Sequence, residues 1–400
     1  SNNCDETTFI ITSENNEVEC GIDGAENDIG PVSQSNLATG QFDSLADQDN
    51  NVDVSQQIVA DNTCDGTATH TAECSNFETD NLVDSITQSN TATGELDAAS
   101  TQFNNAVIDQ NMGVLNDCDE VDLGNNVAGC SNNEPENFIG TITQTSSNAA
   151  GDEADTATVA QSNDAQVNQD LGATNNCDEA GIGDNTADCA NSLSNFVDFI
   201  SQTNNAPIVA DDFVQSNLLA ISQDVEVTND CDEVDDGNAN PICNNQADNT
   251  IEPIVQLNVA TGSEVTDISQ TNGISSMNQV LVAVNDCDQQ SGPGINQVEC
   301  SNGVQNIINA VTQSNNAEGN LFTDFLQDNN AAYSQVLDVS NNCDESTFIV
   351  TSENNEVVCT NSAENFMGLV TQANTASGQI DSLIDQDNNA AVSQNLVADN

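Results

Sequence analysis

Cysteine beside aspartate, and glutamine at fixed intervals, are the residues of this sequence that stand at spacings chemistry can use. Fourteen cysteines fall into seven pairs: Cys4/Cys20, Cys64/Cys74, Cys118/Cys130, Cys177/Cys189, Cys231/Cys243, Cys287/Cys300 and Cys343/Cys359. The first of each pair is followed by aspartate, from Asp5 to Asp344, and preceded by asparagine two residues earlier. Paired within a repeat, they form disulfides that pin short loops, each stabilising by about 2–4 kcal/mol. A cysteine ladder between adjacent rungs is the alternative, since rung spacing lies within the Cα separations a disulfide permits. The enclosed segments carry hard oxygen donors of the kind calcium takes: Asp119, Glu120 and Asp122 with the carbonyls around Gly124, and Asp232 and Asp235 in CDEVDDGNANPIC. No EF-hand spacing is present, so a calcium site stands against the plain alternative of solvated surface carboxylates.

His70 is the one histidine, in GTATHTAEC, with no nucleophile or acid that the sequence places beside it. Lys and Arg number zero against 66 Asp and Glu. Without a cation there is nothing to neutralise an acidic polysaccharide, so no enzyme is expected and no cofactor is required, calcium being the one candidate. A formal charge of −66 excludes the basic footprint of a nucleic-acid binder and docking on anionic lipid. Charged partners should be cations or basic surfaces. No apolar run reaches membrane-span length, so no membrane insertion is expected. Fourteen cysteines in an acidic chain without CxxC spacing point to an oxidising, extracellular or cell-surface setting. The start at Ser1 reads as the mature form of a secreted protein. The sequence offers no trypsin-type cleavage site and no N-x-[ST] sequon.

The elements that must hold these groups follow from periodicity. The first cysteine recurs every 54 to 60 residues, the mark of a solenoid, propeller or array. The chain divides into repeats of about 57 residues, approximately 1–60, 61–114, 115–173, 174–227, 228–283, 284–339 and 340–400, read as one repeat domain over 1–400. Each carries three glutamines in fixed places. One set is Gln34, Gln88, Gln144, Gln202, Gln256, Gln313 and Gln372, each with asparagine seven residues before it. The next is Gln48, Gln102, Gln161, Gln215, Gln270, Gln327 and Gln386, each with asparagine two residues on. The last is Gln56, Gln110, Gln169, Gln223, Gln279, Gln335 and Gln394. Val159, Gln161, Asn163, Ala165, Val167, Gln169, Leu171 and Ala173 occupy every second position, which puts them on one face of extended chain. The sequence therefore predicts an all-β stack, a β-solenoid or β-arch, with these amides inside. Buried amides are costly unless paired, and identical rungs pair them as ladders. In the fifth repeat the interval from Gln270 to Gln279 is one residue longer, with Gly273 nearby, which predicts a bulge.

Inward glutamine and asparagine alternating with small apolar residues, as in QSNTATG and QFNNAVIDQ, resembles the repeat of curli-type functional amyloid subunits. Cysteine-bearing sheath proteins of methanogenic archaea are similar in composition. The resemblance implies a secreted fibre or biofilm-matrix component. It covers the glutamine-bearing half of each repeat; the longer period, the cysteine pair and the missing Gly between Gln and Asn depart from it.

The opening SNNCDETTFIITSENNEVEC returns almost unchanged at 340–359 as SNNCDESTFIVTSENNEVVC. Matched terminal repeats predict a chain that meets copies of itself head to tail as a homopolymer; recent duplication is the rival explanation. The expected function is the structural subunit of an extracellular filament, tube or sheath. A monomeric secreted adhesin or calcium-binding surface repeat protein is the alternative.

Overall fold

The computed structural model describes residues 2–3, 6–7, 17–23, 25–40, 45–64, 66–67, 71–94, 99–118, 120–122, 127–150, 158–181, 184–206, 212–235, 238–261, 266–291, 297–319, 323–343, 345–347, 356–378 and 382–400. Among these residues the chain is almost entirely strand, without helix. Each repeat makes one coil, hereafter a rung, of two arms that face each other across a thin interior. The long arms are Leu45–Thr63, Ala99–Asp117, Thr158–Asn176, Asp212–Asp230, Thr266–Asp286, Thr323–Asn342 and Ile384–Asp399. They stack in that order into a parallel sheet, joined at its start by Asn2–Asn3. The facing arms stack likewise into a second sheet, from Glu17–Asp23 to Val370–Ser377. A third column of short strands, from Glu6–Thr7 to Glu345–Thr347, follows each first cysteine.

All strand pairs described are parallel, and register follows residue identity: Gln102 stands opposite Gln48 and Gln161, and Cys130 opposite Cys74 and Cys189. A register slip of one residue would turn every inward side chain outward. The two-residue period accordingly appears as alternation of more and less exposed positions along Leu45–Thr63, fully exposed against buried from Asp47 to Ala60. Inside, amide rows alternate with apolar slabs. One slab gathers Val52, Val54, Val83 and Ile86 with their counterparts in later rungs; another gathers Ile58, Ala60, Met112 and Val114 with theirs. A third, around Val159, Phe213 and Phe325, closes the end away from the cysteines.

The longer fifth repeat bulges as its spacing requires. Register jumps from Leu219 opposite Ile274 to Ala220 opposite Ser276, leaving Ser275 extra. Its hydroxyl donates to the Leu219 carbonyl at 3.3 Å. Facing arms also differ in length. The asparagine of the Asn27 column stands seven positions after the second cysteine in the first three repeats and six thereafter; in the second and third, the surplus is taken up beside Glu78 and Glu134, whose φ values are 48° and 59°. Two rungs also approach closely at Gly140. A Cβ there would lie 1.6 Å from the Asp84 carbonyl oxygen, so only glycine lets the third rung pack on the second.

Candidate functional site

The interior is the first candidate. Seventeen of the twenty-one glutamines in the three recurring sets are buried, none more than 5% exposed. Gln34 and Gln372 are half-buried, and Gln386 and Gln394 are exposed on the last rung. In each of the three columns every glutamine bonds the glutamine of the preceding rung, with Nε2 donating to Oε1 over 2.5–3.1 Å. The second N–H of each buried amide reaches a main-chain carbonyl of the facing arm, as Gln110 does to Asn81 at 2.8 Å. One amide thus ties both rung to rung and arm to arm.

Asparagine builds more of the interior than the glutamine count suggests. Columns run from Asn27, Asn36, Asn50, Asn62 and Asn76, and their members donate to the asparagine of the following rung. Four of these columns, in two pairs, also zigzag between the arms: Asn36 Nδ2 donates to Asn50 Oδ1 at 2.9 Å, Asn50 to Asn90 at 2.9 Å and Asn90 to Asn104 at 3.0 Å, while Asn62 donates to Asn76, Asn76 to Asn116 and Asn116 to Asn132, each at 2.9 Å. The recurrence of Asn27, Asn50 and Asn62 was legible in sequence; the columns from Asn36 and Asn76, and the closure of Asn36 with Asn50 and of Asn62 with Asn76 into continuous chains across both arms, were not. Ser146 interrupts one column in the third repeat, where it accepts from Asn104 at 3.1 Å.

The second candidate is the cysteine–aspartate edge. Cys64–Cys74, Cys118–Cys130, Cys177–Cys189, Cys231–Cys243, Cys287–Cys300 and Cys343–Cys359 are disulfide-bonded within their own rungs. The sulfurs stack as a buried column. Cys4 lies outside the described residues, and of Cys20 only the backbone is described, in register with Cys74. His70 and Asp119 are also outside the described residues. Glu120, Asp122 and Asp235 are placed by backbone alone, in the short stacked strands.

Of the sequence-derived metal candidates, Asp232 stands in a described cluster. It shares one group with Asp178 and Asp230 and another with Asp286 and Asp288, the carboxylate oxygens of each lying within 4.8 Å of one another. Sequence reasoning missed those four partners, although the recurring N-D-C-D tetrad at 229–232 and 285–288 is their signal. Register brings them together: Asn176, Asp230, Asp286 and Asn342 are successive members of one outward column. Where asparagine alternates with aspartate the column is relieved, as Asn342 Nδ2 donating to Asp286 Oδ1 at 2.8 Å. Asp230 and Asp286 meet directly as like charges. Burial first, then neighbouring carboxylates, push Asp230 and Asp232 up to about 6. Buried Oδ1 atoms of Asp178 and Asp230 have no hydrogen-bond partner. Such a cluster attracts protons or hard cations.

Fold and site together define a class, a disulfide-bearing parallel β-solenoid with an amide-laddered interior. Comparison with protein-family models, curated proteins and solved structures gave no match. Among the described residues no helix is long and apolar enough to cross a membrane, and the six described disulfides are compatible with an oxidising compartment.

Proposed function

We propose that this chain is a structural protein, the subunit of an extracellular filament, tube or sheath that lengthens by stacking copies head to tail. One observation carries the reading: every rung presents the same three inward glutamines in the same register, and all but the first and third the same asparagines, so one rung is chemically suited to receive another. Parallel strands whose edges are open are ordinarily blunted by charge, proline or a covering element. Along Ile384–Asp399 the exposed inward-type positions are instead Gln386, Asn388, Ala390, Val392, Gln394 and Leu396. Such positions suit the templating of a further identical rung. The likeness to curli-type repeats points the same way, towards secreted, durable fibres.

Purified protein should give unbranched polymers in electron micrographs and a concentration-dependent large species on sedimentation. Single particles of one chain at all concentrations would leave the secreted adhesin or surface repeat protein as the reading. A cation-loaded surface is favoured as an accompanying role by the five clustered aspartates. Calcium should then raise the melting temperature at neutral pH more than the same ionic strength of sodium.

A further inference from the structure

We infer that the interior amides give the stack a fixed direction, so that a second copy docks on it only the same way round. This rests on the stacking proposed above and adds the rule by which partners are chosen. The two amide types run oppositely. Gln223 Nε2 donates back to Gln169 Oε1 at 2.9 Å, and Gln279 to Gln223 at 2.8 Å. Asn163 Nδ2 donates forward to Asn217 Oδ1 at 2.9 Å, and Asn217 to Asn272 at 2.9 Å. Chemistry sets these orientations, because the same nitrogens lie against main-chain carbonyls, which only accept. Gln223 Nε2 is 3.0 Å from the Thr250 carbonyl and Asn217 Nδ2 is 3.1 Å from that of Leu257. A flipped amide would set oxygen against oxygen at each place.

The two faces of the stack therefore differ. Beyond the last rung it offers glutamine oxygens and asparagine nitrogens; before the first it offers glutamine nitrogens and asparagine oxygens. A copy added in the same direction matches N–H to oxygen in every column the two end rungs share, the exception being that of Asn361, whose place in the first rung is taken by Ile22. A reversed copy sets like against like, which leaves polar groups unpaired at a desolvated contact. The occupant is thus a second copy of this chain, in parallel.

Carboxylates, which accept but do not donate, test this by an asymmetry between the ends. Asn388 accepts from Asn329 at 2.9 Å and from Asn374 at 3.1 Å, so Asn388→Asp keeps both bonds. It removes only the N–H offered to an incoming rung. Asn36 donates to the Asp49 carbonyl at 3.0 Å, to Asn50 at 2.9 Å and to Asn90 at 3.1 Å, and Asn36→Asp loses all three. Glutamine should behave as the mirror image. Gln372 donates to Gln313 at 2.7 Å and to the carbonyls of Asn329 at 3.3 Å and Asn389 at 3.0 Å. Gln34 receives from Gln88 at 3.1 Å and gives one bond, to the Asn51 carbonyl at 2.9 Å.

Hydrogen exchange at pH 7.5 reads the internal effect. Asn36→Asp and Gln372→Glu should speed exchange in their own and adjoining rungs by about tenfold or more. Asn388→Asp should leave exchange unchanged, and Gln34→Glu should change it less than Gln372→Glu does. Equal effects within each pair, or reversed ones, overturn the directional reading. Polymer growth reads the docking. Asn388→Asp should elongate at least about tenfold more slowly than the unsubstituted chain. Growth at the unsubstituted rate, with the exchange asymmetry intact, overturns docking of a second copy while the internal direction stands. No polymer from the unsubstituted chain would remove the stacking function itself.

Discussion

Replacing Gln223 by glutamate places a carboxylate where the interior is least able to accept one. Gln223 has no exposed surface. Its Nε2 donates to Gln169 Oε1 at 2.9 Å and to the carbonyls of Asn195 at 3.2 Å and Thr250 at 3.0 Å. In Gln223→Glu all three acceptors face a carboxylate, while the bond received from Gln279 at 2.8 Å remains. An ionised group in that setting takes up a proton instead. Raising its pKa from about 4.3 to at least 7 requires about 2.7 units, or about 3.7 kcal/mol of lost stability at neutral pH. The sign follows from linkage: the unfolded chain ionises first, so the penalty grows as pH rises above about 4.3 and levels off above the folded pKa. Below pH 4 it vanishes, leaving only the lost donations. Gln223→Leu isolates the uncharged part: it orphans the Gln169 oxygen at about 1–3 kcal/mol, independent of pH. Urea denaturation followed by circular dichroism at pH 4 and 7.5 separates the two. With a slope of about 3 kcal/mol/M, Gln223→Glu should lower the midpoint by about 1 M more at pH 7.5 than at pH 4, and Gln223→Leu should show no such difference. A Gln223→Glu midpoint equal to that of the unsubstituted protein at pH 7.5 would mean that this amide reaches water, and the inward ladder would be refuted.

Other expectations come from the edges of the rung. Asp230 and Asp232 are raised to about 6, and Asp178, Asp224 and Asp248 are raised too, burial being the first cause in each case. Carboxylates raised on folding weaken the fold as pH climbs from about 4 to 6, so at low salt the melting temperature should be higher at pH 4.5 than at 7.5; a flat profile would contradict this. Sodium chloride at 1 M should narrow that gap, because exposed like charges are screened. Replacing both Cys231 and Cys243 by serine opens a loop closed over a sequence separation of 12 and should cost about 3 kcal/mol, read as a lower urea midpoint under non-reducing conditions. Ser146→Asn restores the ladder residue missing from the third repeat and should raise the midpoint, by about 0.5–1.5 kcal/mol in stability for each bond regained. An unchanged or lower midpoint would show that the serine-sized space is closed to the longer side chain.

The sequence carried the parts of this fold that depend on identity at fixed spacing. Parallel in-register stacking needs the same residue at the same place in every coil, so the recurrence of Gln48, Gln102 and Gln161 along the chain already marks them as one column. The Ser275 bulge was legible for the same reason, as one residue too many between two ladder glutamines. What spacing could not supply was contact between positions far apart in one coil or on different arms. Asn36 meets Asn50 across the interior, and Asp178 lies against Asp230 of the next rung. Such pairings depend on how the two arms face each other, which no periodicity along a single arm reveals. The metal candidates illustrate the difference. Asp119, Glu120 and Asp122 looked connected because they are neighbours in sequence, whereas the described clusters join Asp178, Asp230 and Asp232, and Asp232, Asp286 and Asp288, across successive rungs. A search for ligands along the column, in place of along the loop, would have found them.

The distribution of charge explains why the interior is built of amides at all. Rungs about 4.8 Å apart bring any repeated side chain next to its own copy. Repeated carboxylates repel there, as Asp230 and Asp286 do, and repeated aliphatics pack without choosing a direction. An amide is both donor and acceptor at one position, with a second N–H left for the facing arm, so a column of identical amides satisfies itself without ions. Opposed glutamine and asparagine columns add a second property, since their dipoles oppose one another across the section while their open ends remain distinct. The carboxylates are left to the outside, where water and cations moderate 66 negative charges. On this view neutralising the surface should promote side-by-side bundling of stacks, leaving the end-to-end contact unaltered. Lowering pH to 4 should therefore thicken fibres in micrographs without changing the repeat of about 4.8 Å in fibre diffraction. Loss of that repeat at pH 4, with the coil still folded, would mean that the surface charges and not the amides hold successive rungs in place.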